Sequence, residues 1–354
     1  MNKKTKYFKK NNLLPIDKFF EDVLYNKEYG YYTNHYPFGG SGDYITSPMI
    51  SFLFGEMLAI WTVSFWESLG KPKKFNLIEL GPGNGMLAKT LIKTFKKFPN
   101  FYKSLNFFLM EKSNSLKKFQ KQNISTGNIK WISNLDKIKN GPVLFLGNEF
   151  FDAIPIKQFK RVKNSLYENY VNLDQNNKVK IKLVESSLKS KKKIENFKFF
   201  NKIKFIEYPE MGIKTIEPII DKIKKLGGGI LLIDYGYIKQ INIDTLQSIK
   251  GHKKNNLFKN LGQADITSLV NFELLKEHFK HKDLIVKNIV TQSFFLKKLG
   301  ILERAERVSL NMSFKEKSDL HSRLKRLLDP YSMGKLFKVF FAFKKINKNI
   351  IGFE

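Results

Sequence analysis

The sequence contains no cysteine among its 354 residues. This absence excludes disulfide bonds, zinc sites with thiolate ligands, iron–sulfur clusters and thiol nucleophiles. Histidine is also scarce, with five residues in the whole chain, and that leaves little for a histidine-based metal site. We therefore predict a function in which no metal takes part.

Arginine is as rare as histidine, although the chain is strongly basic. Lysine and arginine number 63 against 32 acidic residues, a formal net charge of +31, yet five of these basic residues are arginine and 58 are lysine. Such a charge suggests nucleic-acid binding, but arginine is the residue best suited to forked recognition of phosphate and guanine. Because the lysines are spread along the whole chain, we favour a compositional background and expect no nucleic-acid partner.

Long apolar runs are also lacking, with one exception at residues 49–66. Glu56 lies near the middle of this run, and a lone carboxylate is costly inside a bilayer. Ser47 and Pro48 precede the run as an N-cap hydroxyl and a proline at the first helical position. Apolar residues then recur at helical spacing, so we predict a buried helix and no membrane span. The first residues contain no apolar stretch of the signal-peptide type.

Short apolar segments alternate with helical ones from residue 75 onward, which predicts an α/β fold. The strands are apolar on both faces, as in a buried parallel sheet. The predicted strands of this part are residues 75–80, 106–110, 129–132 and 142–147. Further along the chain, the same pattern predicts helices at about 213–226 and 265–279 and strands at 230–234, 284–290 and 338–343.

Residues 156–205 interrupt this alternation with polar-rich runs of alternating character, typical of antiparallel strands. We interpret the lysine-rich segment 189–193 as the solvated tip of this insertion. The length of the chain suggests two domains or one large domain with insertions. The predicted division is an N-terminal helical region at residues 1–70 and a second domain at residues 71–354, with the insertion at about 156–205.

A glycine-rich turn follows the first predicted strand in the string Glu79-Leu-Gly81-Pro-Gly83-Asn-Gly85. Glycine there allows a tight turn and close approach of the backbone to a ligand. In the G-x-G-x-x-G pattern of dinucleotide enzymes, the third glycine would fall at Met86. The spacing G-x-G-x-G, with an acid before it, resembles motif I of class I S-adenosylmethionine-dependent methyltransferases. An ordinary tight turn is the plainer alternative.

Acidic residues also stand at the ends of the next predicted strands. Glu111 follows the second strand, where a carboxylate suits the vicinal hydroxyls of a ribose. Asn148, Glu149 and Asp152 follow the strand at 142–147. Ligands of open α/β sheets lie at these carboxyl ends, and carboxylates there can hold a cation or accept a proton. The alternative for this cluster is a capping acid beside core aromatic residues.

Nine strings along the chain resemble one family, the MidA-like methyltransferases. They are GDYITSP, FGE, ELGPGNG, NEFFDAIP, IDYGY, DTLQSIKGH, ADITSLVNF, TQSFFL and MGKLFKV. The likeness runs from about Asp17 to the C-terminus, and its most specific parts are NEFFDAIP and the order of all nine strings. Members of this family are protein-arginine methyltransferases linked to the assembly of respiratory complex I.

The resemblance implies a Rossmann-like class I methyltransferase sheet with an N-terminal helical region and an inserted accessory α+β element. It implies S-adenosylmethionine as cofactor, S-adenosylhomocysteine as product, and symmetric dimethylation of arginine in a protein substrate. That substrate would be a matrix-arm, quinone-proximal subunit of complex I. The location would be the cytoplasm in a bacterium or the mitochondrial matrix in a eukaryote.

The expected site residues lie in these strings. Because a protonated guanidinium is a poor nucleophile, we expect Glu149 to clamp it, with support from Asp152. Phe150 or Phe151 would form an apolar wall near the sulfonium. The expected cofactor-binding residues are Glu79, Gly81, Gly83, Gly85, Glu111, Asn148, Asp43, Thr46 and Ser47. For Ser47, a simple helix cap is an equal alternative.

Three residues depart from the family pattern, Met49, Ile243 and Asn271, where an acid, a glycine and an aspartate are usual. Two other functions stay open at this point. One is a methyltransferase acting on RNA or another nucleic acid, and the other is a non-catalytic assembly chaperone on the same fold. A nicotinamide-dependent oxidoreductase is disfavoured by Met86, and the sequence gives no oligomeric state.

Overall fold

The computed structural model describes residues 5–8, 12–34, 42–43, 45–124, 129–176, 178–346 and 349–354. The chain groups into two compact units, each formed by three separate segments. Unit 1 contains Met1–Tyr44, Phe151–Ile216 and Tyr237–Glu277. Unit 2 contains Ile45–Phe150, Glu217–Gly236 and His278–Glu354.

The helices and strands are numbered in chain order. The helices are α1 (Ile16–Tyr25), α2 (Tyr31–Asn34), α3 (Ser47–Ile50), α4 (Phe52–Ser68), α5 (Met86–Phe95), α6 (Pro99–Ser104), α7 (Asn114–Asn123), α8 (Leu188–Glu195), α9 (Glu210–Leu226), α10 (Phe272–His281), α11 (Gln292–Lys298), α12 (Ile301–Ser309), α13 (Phe314–Leu328) and α14 (Met333–Leu336). The strands are β1 (Leu13–Pro15), β2 (Phe75–Leu80), β3 (Leu105–Met110), β4 (Ile129–Ile132), β5 (Val143–Asn148), β6 (Lys157–Val162), β7 (Ser165–Leu173), β8 (Val179–Glu185), β9 (Phe205–Tyr208), β10 (Gly228–Tyr237), β11 (Gln247–Lys250), β12 (Lys253–Asn255), β13 (Asp265–Thr267), β14 (Val270–Asn271), β15 (Ile285–Val286), β16 (Val290–Thr291) and β17 (Phe337–Phe343).

Unit 2 is built on a twisted sheet in the strand order β15-β17-β10-β5-β2-β3-β4, with β16 beside β17. The pairs from β10 to β4 are parallel, and β17 runs antiparallel to β10. Strands β2 and β5 are buried along almost their whole length, as expected for strands covered on both faces. The predicted parallel sheet is therefore present, and the antiparallel strand β17 extends it beside β10, with the short strands β15 and β16 paired to β17.

The strand order reverses between β2 and β5. From β2 the chain continues outward to β3 and β4, whereas β5 and then β10 are added on the other side of β2. In open α/β sheets such a reversal leaves a crevice outside the carboxyl ends of the two strands, and ligands bind there. The register pairs Leu80 with Gly147, so the residues that follow leave the sheet side by side.

Helix α4 is apolar around its whole circumference and is buried in the core of unit 2. Trp61 is its central residue, stacked on Phe65 and edge-on to Phe341. Glu56 is the one acid in the middle of the helix, and Arg304 binds its carboxylate with two hydrogen bonds of 2.8 and 3.2 Å. No helix in the described part of the chain is long and apolar enough to cross a membrane.

Unit 1 contains two antiparallel sheets. In the first, β7 pairs with β1, β6 and β8, and β6 pairs with β9. In the second, β11 pairs with β12 and β13. The apolar face of α1 packs with residues of β7 to form one core cluster, and Phe159 and Phe200 belong to a second.

Three segments differ from the sequence prediction. Residues 189–193, expected as a solvated tip, lie in helix α8, which is capped by the side chain of Ser187. The segment 265–279, predicted as one helix, contains β13 and β14 before α10 starts at Phe272. The single strand expected at 284–290 is divided into β15 and β16. Strands β13, β15 and β16 pair with strands from other parts of the chain, and an apolar pattern within a segment does not reveal such a partner. The cap of α8 comes from Ser187, a polar residue that is not part of an apolar pattern.

The sequence predicts that an N-terminal region ends near residue 70, and this domain boundary stays a prediction. In the structure, the compact units separate after Tyr44, because α4 packs into the sheet core of unit 2. Residues 156–205 lie within the second segment of unit 1, Phe151–Ile216.

A substitution in α4 tests how the core of unit 2 is packed. Trp61 is fully buried and also donates its indole N–H to the carbonyl oxygen of Ile351 at 3.2 Å. Trp61→Ala should lower the free energy of unfolding by about 3–5 kcal/mol, because it leaves a cavity that the rings around it cannot fill. Phe314→Ala is the matched control, since that ring is 89% exposed. Urea denaturation measures both, and equal losses would contradict this packing.

Candidate active site

Glycine residues shape the turn that follows β2. Gly81, Gly83 and Gly85 have φ angles of 60°, 54° and 79°, in the left-handed region that favours glycine. A Cβ atom on Gly81 would lie 3.1 Å from the ring of Phe150, and one on Gly85 would lie 2.8 Å from the side chain of Ile124. The turn is therefore restricted to glycine by its backbone conformation and by its close neighbours.

Glu79 is the acid that precedes this turn, and it is buried in β2 with 3% of its surface exposed. Among the described residues, its Oε2 atom has no hydrogen-bond partner. Burial raises the pKa of Glu79 to about 8. A buried carboxyl without a donor is costly, so the site suits a ligand that brings a cationic or N–H donor.

Glu111 lies directly after β3 and is also buried. Its Oε1 atom accepts the backbone N–H of Ser113 at 2.8 Å, and its Oε2 atom accepts Nε2 of Gln120 at 3.2 Å. Burial raises the pKa of Glu111, and these donors offset the increase in part. Each carboxylate oxygen can accept two hydrogen bonds, so Glu111 keeps capacity for a hydroxyl donor of a ribose.

Glu149 follows β5 and has a φ angle of 50°, which is uncommon for a residue with a side chain. Its backbone N–H donates to the carbonyl oxygen of Ile233 in β10 at 2.8 Å. Its Oε1 atom accepts the backbone N–H of Ser47 at 3.0 Å and the side-chain amide of Asn148 at 3.1 Å. Amide donors from two separate segments of unit 2 thus orient this oxygen.

Ser47 does not cap the helix that it begins. The N-cap position is Thr46, whose extended backbone accepts the N–H of Met49, without a side-chain cap bond. The hydroxyl of Ser47 instead donates to Oε1 of Gln292 at 3.4 Å, and Gln292 is fully buried. The helix-cap alternative for Ser47 is therefore wrong, and its backbone faces Glu149.

Two of the predicted residues, Asp43 and Asp152, belong to unit 1. Asp43 accepts the hydroxyl of Tyr31 and the backbone N–H of Gly251, both at 2.5 Å. Asp152 is buried, and its backbone carbonyl accepts the N–H of Ser268 at 3.0 Å. The other nine predicted site residues lie in unit 2, so the structure divides the prediction between the two units.

Sequence reasoning missed two buried glutamines of unit 2. Gln120 contacts both Glu111 and the glycine turn, and Gln292 contacts Ser47. Gln120 stands four residues after Leu116 and four before Ile124, on the buried face of α7. A polar residue at such an apolar position is a signal that could have identified it. Gln292 lies in the string TQSFFL without a predicted role.

Of the three departures from the family pattern, Asn271 has a clear local role. Its Oδ1 atom accepts the N–H of Leu274 at the start of α10, and its amide exchanges hydrogen bonds with Gln240. An aspartate could keep the first contact but could not donate to Gln240. Ile243 is 60% exposed and Met49 is half-buried. Within the described ranges, no group of three or more histidine or acidic residues is arranged to hold a metal ion.

The burial of Glu79 predicts a pH dependence of stability. Folded Glu79 keeps its proton up to about pH 8, whereas the unfolded side chain loses it near its usual value of 4.5. Folding then requires uptake of a proton between these values, so stability falls as pH rises from 4.5 to 8. Between pH 4.5 and 7, the free energy of unfolding of the wild type should therefore fall by roughly 3 kcal/mol more than that of Glu79→Gln.

Urea denaturation at several pH values measures this effect. Two other buried acids, Glu207 and Asp265, have pKa values raised to about 7, but they are present in both proteins and cancel in the difference. Glu67→Gln is the control, because Glu67 is an exposed residue of the same unit. Parallel curves for wild type and Glu79→Gln would contradict the raised pKa.

The left-handed backbone of Glu149 makes a second stability prediction. Glu149→Gly and Glu149→Ala both remove the carboxylate, but glycine adopts a φ angle of 50° without a penalty. The glycine variant should therefore be the more stable by about 1 kcal/mol. The same pair at Glu67, inside helix α4, should give the opposite order. Thermal denaturation compares all four proteins, and the same order at both positions would contradict strain at Glu149.

Several animal proteins are similar to this chain over most of its length. The protein arginine methyltransferase NDUFAF7 of Danio rerio mitochondria is 29% identical over 354 residues, which cover 92% of this chain and 82% of that protein. The human mitochondrial protein of the same name is 27% identical, with coverage of 92% and 79%. Its Caenorhabditis elegans homologue is 31% identical over 87% of this chain and 76% of its own length.

A solved structure shows the same fold. A Burkholderia thailandensis protein crystallised with S-adenosylhomocysteine superposes with a TM-score of 0.82 over 96% of this chain and 89% of its own. A native crystal structure from the same organism gives a TM-score of 0.81. The sequence identity of 20% limits this comparison to the fold, and it confirms the predicted fold class.

The sequence itself also matches a family model over residues 57–290, about two thirds of the chain. The family is described as "Putative S-adenosyl-L-methionine-dependent methyltransferase". The match covers Glu79, the glycine turn, Glu111 and the string NEFFDAIP. The mitochondrial protein arginine methyltransferase NDUFAF7 and its homologues are relatives of this chain. The chain belongs to the family of S-adenosylmethionine-dependent methyltransferases that this model describes.

Proposed function

We propose that this chain methylates arginine side chains of a protein, and that Glu149 is the residue that binds the guanidinium. The observation that supports this proposal is the state of the Glu149 carboxylate. It stands at the strand-order reversal in a costly backbone conformation, oriented by the amides of Ser47 and Asn148. Backbone strain at non-glycine residues is concentrated at functional sites. The names of the animal relatives support the same substrate class.

The chemistry of arginine explains why an oriented carboxylate is needed. A guanidinium stays protonated, with a pKa above about 12, and its charge is delocalised over three nitrogens. A carboxylate that accepts from two of these nitrogens holds the charge near them and leaves the third as the nucleophile. Positioning supplies much of the remaining effect, because the reacting atoms must be in line. Glu149 performs the first task, and Asp152 supports it in this proposal.

The residues around the glycine turn fit the cofactor of the family. S-adenosylmethionine supplies a methyl group on a positively charged sulfur. Glu111 would accept hydroxyl donors of the ribose, and Oε2 of Glu79, which has no hydrogen-bond partner in the described part of the chain, suits a cationic amino group. The glycine turn, through Gly81, Gly83 and Gly85, allows a ligand to approach the backbone. Further cofactor contacts are proposed for Asn148, Asp43, Thr46 and Ser47.

The finer identity of the substrate follows from the family resemblance. We propose a matrix-arm, quinone-proximal subunit of respiratory complex I, dimethylated symmetrically on arginine. The relatives named for animals are mitochondrial. The corresponding location of this chain would be the mitochondrial matrix in a eukaryote or the cytoplasm in a bacterium.

Incubation with S-adenosylmethionine that carries a labelled methyl group tests the substrate class. The target is an extract of cells that lack this protein, separated afterwards into protein and RNA. We expect the label in protein, and hydrolysis should release it as methylarginine. Label in RNA would instead support a nucleic-acid methyltransferase. No label in either fraction, with assembly of complex I still dependent on the protein, would support a non-catalytic chaperone.

Glu149→Gln tests the role of the carboxylate. The substitution keeps the size of the side chain but removes the charge that binds a guanidinium. Methyl transfer to protein should fall by about 100-fold or more, as for other groups that act on charge at a reacting centre. Binding of S-adenosylhomocysteine, measured by calorimetry, should stay within about twofold of wild type, since the cofactor residues are intact.

The control for this variant is Glu67→Gln, which removes an exposed carboxylate of unit 2 that contacts Lys71. Its transfer rate should match that of wild type. Retained turnover in Glu149→Gln would remove Glu149 from the reaction, while the assignment of the chain to the methyltransferase family would be unaffected.

A further inference from the structure

Gln120 in α7 is a fully buried polar residue at a junction of several elements of unit 2. Its Nε2 atom donates to the carbonyl oxygen of Gly83 at 2.8 Å and to Oε2 of Glu111 at 3.2 Å. Its Oε1 atom accepts the indole N–H of Trp131, in β4, at 2.8 Å. One amide therefore connects the glycine turn, the acid after β3 and a side chain of the next strand.

Trp131 determines which way this amide faces. An indole nitrogen can only donate a hydrogen bond, so the atom of Gln120 beside it must be the oxygen. The two N–H groups are then directed at Gly83 and Glu111, both of which present acceptors. Rotation of the amide by 180° would break the bond to Trp131 and place its oxygen against two other oxygens. The hydrogen-bonding properties of its three neighbours therefore determine which side of the Gln120 amide carries the oxygen and which carries the nitrogen.

Both groups that Gln120 contacts need support. Gly83 has a φ angle of 54° in a turn without the regular hydrogen bonds of a helix or strand. Glu111 is buried, and burial raises its pKa, while Gln120, the Ser113 amide and the charge of Lys117 act in the opposite direction. Loss of a donor to a buried carboxylate leaves part of its desolvation cost uncompensated.

We propose that Gln120 is a positioning residue for the cofactor, which holds the carbonyl of Gly83 and the carboxylate of Glu111 in one fixed arrangement. This inference rests on the proposed role of Glu111 as the ribose ligand. Gln120 acts through these two residues. It keeps the carboxylate of Glu111 facing its ligand, its hydrogen bond lowers the pKa of that group, and it prevents the glycine turn from relaxing away from the strand ends.

Two substitutions separate this role from simple packing. Gln120→Met keeps the length of the side chain but removes all three hydrogen bonds. Gln120→Glu keeps an acceptor for Trp131 but places a carboxyl against Glu111 and the carbonyl of Gly83. The matched controls are Gln122→Met and Gln122→Glu, because Gln122 is exposed two residues further along the same helix.

Calorimetric binding of S-adenosylhomocysteine is the first measurement. Gln120→Met should bind about tenfold more weakly than wild type at neutral pH, the loss expected for the hydrogen bonds of a buried carboxylate. Both Gln122 variants should stay within about twofold of wild type, since exposed substitutions have small effects.

The pH dependence of binding is the second measurement, and the two Gln120 variants should differ in sign. In Gln120→Met, Glu111 loses a donor and is protonated more easily, so affinity should rise with pH. In Gln120→Glu, the introduced carboxyl and Glu111 share one proton at low pH and repel each other when both are ionised. Its affinity should therefore fall as pH rises. A residue that only filled space would produce no such opposite slopes.

The indole N–H signals in an NMR spectrum report whether the variants fold. The chain has three tryptophans, of which Trp61 and Trp66 donate to backbone carbonyls away from Gln120. Their signals should not move in Gln120→Met, whereas that of Trp131 should shift because its acceptor is lost. Shifted signals for all three would mean a general structural change, and the role of Gln120 would then be structural.

Unchanged affinity in Gln120→Met with intact folding would overturn the proposal, as would equal pH slopes in the two Gln120 variants. These outcomes are independent of the substrate. Retained turnover in Glu149→Gln contradicts the proposed guanidinium clamp but does not bear on the proposed role of Gln120. Normal binding in Gln120→Met contradicts the positioning role and leaves the clamp untouched.

Discussion

The parallel pairing of β2 with β5 is the interaction on which the candidate site depends. These strands are neighbours in space but are separated in the chain by β3 and β4, so the strand order reverses between them. Their register pairs Leu80 with Gly147, so Gly81, which follows β2, lies beside Asn148, the last residue of β5. A Cβ atom on Gly147 would lie 2.8 Å from the side chain of Leu232 and 3.3 Å from that of Phe150, which favours glycine at this position of β5. A shift in this register would separate the glycine turn from Glu149, whatever the quality of the remaining core.

The sequence predicted the parts of this arrangement that depend on local pattern. The bounds of β2 and β4 were obtained directly, because short apolar runs between helical segments are typical of buried parallel strands. The strand positions also indicated which acids stand at strand ends. Pairing between distant segments was harder to predict. The segment 265–267 forms a strand because β11 supplies a partner for β13, and no property of the segment alone indicates that.

The site was predicted unevenly for the same reason. Motif spacing predicted that Glu79, Glu111 and Glu149 lie at or after the ends of apolar strands, and the strands of the structure end there. The residues that orient these acids come from elsewhere in the chain, as Ser47 does for Glu149 over a separation of 102 residues. Gln120 has a weaker signal, a polar residue on an apolar helix face, which becomes informative only when its partners are known. The order of the motifs in the sequence also did not indicate that the predicted residues are divided between two compact units.

The donors that orient Glu111 and Glu149 include backbone and side-chain amides, although the protein contains 63 basic residues. Glu56 and Glu168, which lie outside the candidate site, are bound by the cations Arg304 and Lys157. In contrast, Glu149 accepts from amides of Ser47 and Asn148, and Glu111 from amides of Ser113 and Gln120. An ion pair would cancel the charge that it orients, whereas an amide orients a carboxylate and leaves its negative charge in place. That charge is what a sulfonium, an ammonium or a guanidinium would meet. Burial raises the pKa values of Glu79 and Glu111, while the amide donors of Glu111 lower its pKa, so a cationic ligand beside either group would offset the cost of burying it.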